Sequence, residues 1–392
     1  MSVRSAERAL TFTPGLGGFD ETANFWLLQA SLRLRREVCW RWHLRDDAPL
    51  HADALPPLDS PLLVSLDLAR HAEAKQEFFR QDVTARYLSE QIATAEPTEV
   101  DATRGSFGWV AHQLSLTPVA KFALGLAVSA AIDGSLGPVI AACLDDGTRT
   151  TPTLGLVQRL WDDPSEAAQL ADPFHVLWRR GLLQASATPS SDDGSIVWTQ
   201  VLAVPVLIAR KLLFPATPLP DILAPIAVPQ PHRATENTAD AFHAVMARLR
   251  TGDAHALRVV PVLGPRTVSS SEAVARVGDA LGRPVCGVTS RGLLAGGAAP
   301  LRQLAVLCWL SGYDILLHDS DVGAHGDDPT ALALSSLRGL PMIVYVPVSD
   351  AASVSAWPRD VVQPALAVTG LDHAARAALW RAALGKRGAA LG

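Results

Sequence analysis

The chain reads as an α/β protein in two parts, a helical first part followed by a parallel sheet wound on both faces. Apolar residues recur at helical spacing up to about residue 230. Pro215, Pro218, Pro220, Pro225, Pro229 and Pro231 then interrupt the pattern. Beyond them short β-rich runs alternate with helical stretches, which in one sheet implies parallel strands with any ligand at their carboxyl ends.

Residues 1–19, with Gly15, Gly17 and Gly18, are expected to form a flexible arm. Residues 20–104 form a helical N-terminal region. Asp20 caps a long amphipathic helix to about Arg45, with Phe25, Leu28, Leu32 and Val38 on one side. Arg33, Arg35, Arg36 and Arg41 are dispersed elsewhere and read as a solvated face. A proline-rich loop at Pro56, Pro57 and Pro61 precedes a second helix over Leu66 to Thr94.

Residues 105–210 hold short helices at 115–131, 136–144, 153–160 and 173–181, then the β-prone Ile196, Val197, Trp198, Val201 and Leu202. That order suits a winged-helix-like domain. Between Ser106 and Gly181 five basic residues face seven acidic ones, which opposes DNA binding and favours a protein partner. Residues 211–234 are expected to be an extended proline-rich linker.

The 48% hydrophobic content supports sizeable cores, and 392 residues suggest two or three domains. A net charge of −5 and a pI near 6.1 argue against general affinity for nucleic acid or anionic membranes. Cys39, Cys143, Cys286 and Cys308 are far apart in apolar surroundings, as expected of reduced core thiols in a cytoplasmic protein. Arg4, Glu7 and Arg8 interrupt any leader-like apolar run. Phe122 to Leu144 carries only Asp133 as a charge, but Gly134, Gly137 and Pro138 break it into two buried helices rather than a membrane span.

Residues 235–371 carry the alternation. Helices are expected at 239–249, 270–281, 300–311 and 330–337. Strands are expected at 257–263, 284–288, 313–318, 341–346 and 365–368. Between the first strand and its helix lies Gly264-Pro-Arg-Thr-Val-Ser-Ser-Ser271. A phosphate-binding loop reads G-x-x-x-x-G-K-[ST] in that context. Gly264 and Ser271 match its ends, while Ser269 replaces the second glycine and Ser270 the lysine. The glycine lets backbone N–H groups approach the anion and the lysine supplies charge; serine offers one neutral hydrogen bond. Ser269 to Ser271 also cap the helix in a simpler reading, Ser269 with Glu272 making a capping box.

These pieces resemble the AAA+ ATPases that accompany contractile injection systems, the phage-tail-like secretion particles. The resemblance rests on Leu114-Ser-Leu-Thr-Pro118, Phe122-Ala-Leu-Gly-Leu-Ala127, Leu144-Asp-Asp146, Pro152-Thr-Leu-Gly-Leu156 and Arg180-Gly-Leu-Leu183. In the second half it rests on the Gly264 loop, Leu281-Gly-Arg-Pro284, Asp314 to Asp321 and Ala374-Ala-Arg-Ala-Ala-Leu-Trp380. It implies a P-loop NTPase-like domain whose 257–263 strand is central and next to the 313–318 strand. It also implies ATP with Mg²⁺, weakly held, as ligands of a degenerate site at Gly264, Ser269, Ser270, Ser271, Asp319 and Asp321. Asp319 keeps the acid that holds Mg²⁺ through water. Ser320 takes the place of the water-polarising acid, and Asp321 comes one residue late, on the opposite face of an extended strand end. Pro347 and Val348 stand where a sensor polar group belongs, and Arg359 where a trans-acting arginine could sit. Residues 372–392 correspond to a remnant of the helical lid.

His318, Asp319, Asp321, His325, Asp327 and Asp328 crowd one strand end. As a calcium loop they fail, because Gly323, Ala324 and Thr330 replace required residues. A solvated acidic loop is the plainer reading beside a transition-metal site. No nucleophile–base constellation stands out. The resemblance with these departures implies a catalytically impaired AAA+-like adaptor or assembly factor, whose partners would be a complete AAA+ ATPase or injection-system components. The alternative is an active ATPase with an atypical loop that remodels or loads proteins of such a system.

Overall fold

The computed structural model describes residues 20–46, 68–96, 102–185, 198–227, 239–265, 270–289, 298–318, 329–355 and 357–368. Contacts divide the chain into two compact units, Met1–Thr217 and Pro218–Gly392.

The first unit is built around α1 (Glu21–Asp46). Asp20 starts it as expected: Oδ1 accepts from the Ala23 amide at 3.2 Å, and Oδ2 accepts from the Gly108 amide. Asp20 thereby also serves the first turn of α4 (Phe107–Gln113), whose own N-cap Ser106 accepts from Trp109. The amphipathic expectation for α1 fails. Positions 29–34 are buried without interruption, including Gln29, Ser31 and Arg33, while the expected apolar residues Phe25, Leu28 and Val38 are only half-buried. Over these positions the helix is enclosed and has no solvated face, so its polar residues there must be paired.

Three of the helices enclosing α1 are α3 (Val83–Ile92), α5 (Pro118–Ile132) and α6 (Leu136–Leu144). The long second helix expected from the sequence is instead two, α2 (Leu68–Gln81) and α3, because Asp82 leaves helical geometry and caps the second through the Ala85 amide at 2.7 Å. α5 and α6 break apart at Asp133-Gly134-Ser135, in the expected gap, but of the expected breakers only Gly134 lies there; Gly137 and Pro138 fall in the first turn of α6. At Gly125 an added Cβ would lie 3.1 Å from the Trp26 carbonyl, so glycine sets how closely α5 approaches α1. No described helix is long and apolar enough to cross a membrane. The unit continues with α7 (Leu154–Leu160), the short α8 (Val176–Arg179), β1 (Gln184–Ala185), β2 (Leu202–Ala203) and α9 (Val206–Leu213). β1 and β2 pair antiparallel, and Thr153 bridges Val201.

The second unit holds β3 (Leu223–Pro225), α10 (Ala239–Thr251), β4 (Arg258–Leu263), α11 (Ser271–Leu281) and β5 (Val285–Thr289). Then come α12 (Ala298–Ser311), β6 (Asp314–His318), α13 (Pro329–Ser336), β7 (Ile343–Val348) and β8 (Leu366–Ala367). The sheet order is β3-β5-β6-β7-β4-β8. Every pairing is parallel except β3 with β5, so the sheet is mixed rather than purely parallel. The exception comes from the expected linker: Leu223, Ala224 and Pro225 form an edge strand, the position where a proline is tolerated. α10 and α11 cover one face through Val245, Leu249, Val274 and Val277 against Val260, Leu316 and Tyr345. Cys286, of opposite parity to Val285, meets Cys308 of α12 on the other face.

Candidate functional site

Because β4, β5, β6, β7 and β8 run parallel, their carboxyl ends leave the sheet along one edge, where a ligand was expected. The adjacency expected of β4 and β6 is not found. β7 lies between them, paired with both, so their exits are separated by two strand spacings, about 10 Å.

Gly264 ends β4 between two neighbours. Its amide donates to the Val348 carbonyl at 3.3 Å, while Val368 donates to the Leu263 carbonyl at 2.8 Å. A Cβ on Gly264 would stand 2.8 Å from the Val368 carbonyl oxygen. Close approach of β8 therefore accounts for this glycine without a ligand. Ser270 is the N-cap residue of α11, but its backbone is helical and its side chain makes no capping bond. Ser271 opens the helix. Glu272 pairs with Arg276 one turn on, and the capping box expected with Ser269 lies outside the described residues. Ser269, Asp319 and Asp321 lie outside the described residues, as do His325, Asp327 and Asp328.

Three further expectations can be located. The His318 ring lies across Gly287 of β5, where a Cβ would be 2.4 Å from Nε2; the small glycine makes room for the imidazole against the sheet. Among the described residues no group of three His, Cys, Asp or Glu side chains is placed to hold a metal. Val348, at the expected sensor position, is a buried strand residue, and Arg359 is exposed on the turn after the buried Trp357.

Unforeseen polar chemistry occupies the opposite edge. Asp314, fully buried at the start of β6, accepts two hydrogen bonds from Arg283 at 2.7 and 2.6 Å and one from the Ile343 amide at 2.8 Å. These side-chain bonds raise the Arg283 guanidinium above its ordinary value. Burial, then the Asp314 charge, push the Tyr345 phenol far up. The sequence signal was Gly282-Arg283-Pro284 before one strand and an acid opening the next. This cluster ties β5, β6 and β7 at their amino ends and faces away from the candidate edge.

Fold and edge together define an α/β protein with a mixed, mostly parallel sheet compatible with a Rossmann-like arrangement. No protein-family model matches the chain, and neither a curated protein nor a solved structure does.

Proposed function

We propose that this protein is a pseudo-ATPase of AAA+-like build that works by binding other proteins, as an adaptor or assembly factor of a contractile injection system. The observation that carries the reading is the β4–α11 unit. A parallel strand leads through Gly264 to an 11-residue helix whose N-terminus lies beside the carboxyl edge, yet serines stand where charge and close approach are needed. A helix N-terminus alone contributes only a fractional positive charge to anion binding. The expected arrangement, β4 central and next to β6, does not occur, so strand order lends the reading no support; it rests on the loop residues and on both exits leaving the same edge. The helices α5 to α8 with the β1–β2 pair support a winged-helix-like region, and its excess of acids favours a protein partner over DNA.

Calorimetric titration with ATP and Mg²⁺, beside a phosphate-release assay, tests the reading. The expected outcome is negligible turnover, with nucleotide affinity raised when Ser269→Gly and Ser270→Lys are combined. Wild-type hydrolysis abolished by Asp319→Ala would instead establish the active ATPase. In that case Arg266, the cation within the loop, becomes the residue to substitute next.

A further inference from the structure

The first unit contains a recess of about 110 Å³, lined among others by Arg33, Arg36, Lys75, Arg159, Glu37 and Asp162. It belongs to neither the sheet nor the nucleotide-like edge. Four cations there face two carboxylates, in a chain whose net charge is −5. Glu37 is matched by Lys75 at 2.6 Å. Asp162 is shared: Oδ2 lies 2.6 Å from Arg33 Nη1, and Oδ1 lies 2.6 Å from Arg36 Nη2. Arg159 donates to a neutral group, the Cys143 carbonyl, at 2.7 Å. Arg41 also reaches Glu37 at 3.3 Å, and the Asp145 charge acts on Arg159, so five cations in and around the recess face three carboxylates and two positive charges stay in excess.

The cations are held in place before any ligand arrives. Arg33 stacks over the Trp161 ring at 4.4 Å and Arg36 over Phe79 at 4.5 Å. Arg33 Nε is buried with no acceptor among the described residues. Burial lowers the Arg33 and Lys75 values despite their acidic partners, so both charges are poorly solvated. Such a site gains most from a dianion, and paired guanidinium forks suit oxygens on one tetrahedral centre. The Asp162 side chain, 50% exposed, stands at the opening.

We propose that this recess binds a phosphate dianion, either free or as the phosphoryl end of a small monoester, with Asp162 as the internal carboxylate competing for the same guanidinium groups.

Calorimetric titration of the full chain at pH 8 with sodium phosphate and with phenyl phosphate, against sodium chloride at equal ionic strength, tests it. Saturable heat with phosphate is expected, tightened about tenfold in Asp162→Asn, which removes the competing charge. Binding should fall at least about tenfold in Arg159→Gln, an exposed position whose folding is checked by its melting temperature, and in Arg36→Gln. Phosphate should also raise the melting temperature of Asp162→Asn more than that of the wild type. Heat with both ligands assigns the site to a phosphoryl end group, and heat with inorganic phosphate alone to the free ion. Heats equalled by chloride, no tightening in Asp162→Asn, or unchanged binding in Arg159→Gln would overturn the proposal, whether or not Arg36→Gln folds.

Discussion

At the residue scale the most consequential side chain is Asp162. It bridges two arginines of α1 that are 5% and 6% exposed, and so joins the central helix to the turn after α7. Removing a partner from buried charges costs about 3–5 kcal/mol, but the carboxylate is half exposed and solvent screens it, so Asp162→Ala should cost about 1–2 kcal/mol in chemical denaturation. The pH dependence has a definite sign. Burial pushes this carboxyl up, yet Arg33 and Arg36 together outweigh it and hold the folded value below the ordinary 3.8. Its contribution is therefore full above that value and is lost as pH falls through the lowered one. Wild type and Asp162→Asn should differ in melting temperature at neutral pH and converge in strong acid. A difference that persists there would assign the effect to shape rather than charge.

At the element scale, close approach between backbones controls packing in both units. Gly125→Ala places a methyl 3.1 Å from the Trp26 carbonyl and 3.2 Å from its Cβ. Both helices are locked among neighbours, so the substitution should destabilise by about 1–3 kcal/mol. Gly134→Ala, in the turn after α5, meets nothing within 4 Å and serves as the near-neutral control. Equal denaturation midpoints for the two variants would show that α5 can shift to accommodate a side chain. Gly264→Ala should weaken the β4–β8 pairing, because its Cβ would lie 2.8 Å from the Val368 carbonyl. Hydrogen exchange at the Val368 amide, which donates to Leu263, reads that loss directly.

At the scale of the whole molecule, the boundary falls between Thr217 and Pro218. Residues 218–227 lie on the sheet side of it, since β3 pairs with β5. A fragment cut at residue 230 would carry away an edge strand of the second unit, whereas one ending at residue 217 respects both cores. The first unit has exposed large apolar side chains at Trp42, Phe174 and Trp198, the type of residue that anchors protein interfaces. Trp26 and Trp40 are core residues, leaving Trp42 the one markedly exposed tryptophan of α1. Residues 1–217 should capture the same protein partner as the full chain, and Trp42→Ala should weaken capture without lowering the melting temperature. Capture by residues 218–392 alone would move the interaction to the sheet-bearing unit.

Much of this architecture was legible in the amino-acid sequence, because it is set by local pattern. Strand and helix alternate from residue 257 on where the apolar period changes, Asp20 caps α1, and Asp133-Gly134-Ser135 separates two apolar helices. Local pattern also places Gly264, Ser270 and Ser271 at the junction of β4 and α11, whereas Ser269, Asp319 and Asp321 lie outside the described residues. Tertiary structure decided what depends on distant partners. Arg33 and Arg36 read as a solvated face until an acid more than a hundred residues away bridged them. The proline-rich stretch read as a linker until β5 offered an edge to pair with. Gly264 read as a phosphate-loop glycine, but the strand from residue 366 comes so close that only hydrogen fits at that position. Local sequence sets conformational preference; burial, pairing and close approach are properties of two segments at once, and only the folded chain brings the second segment into place.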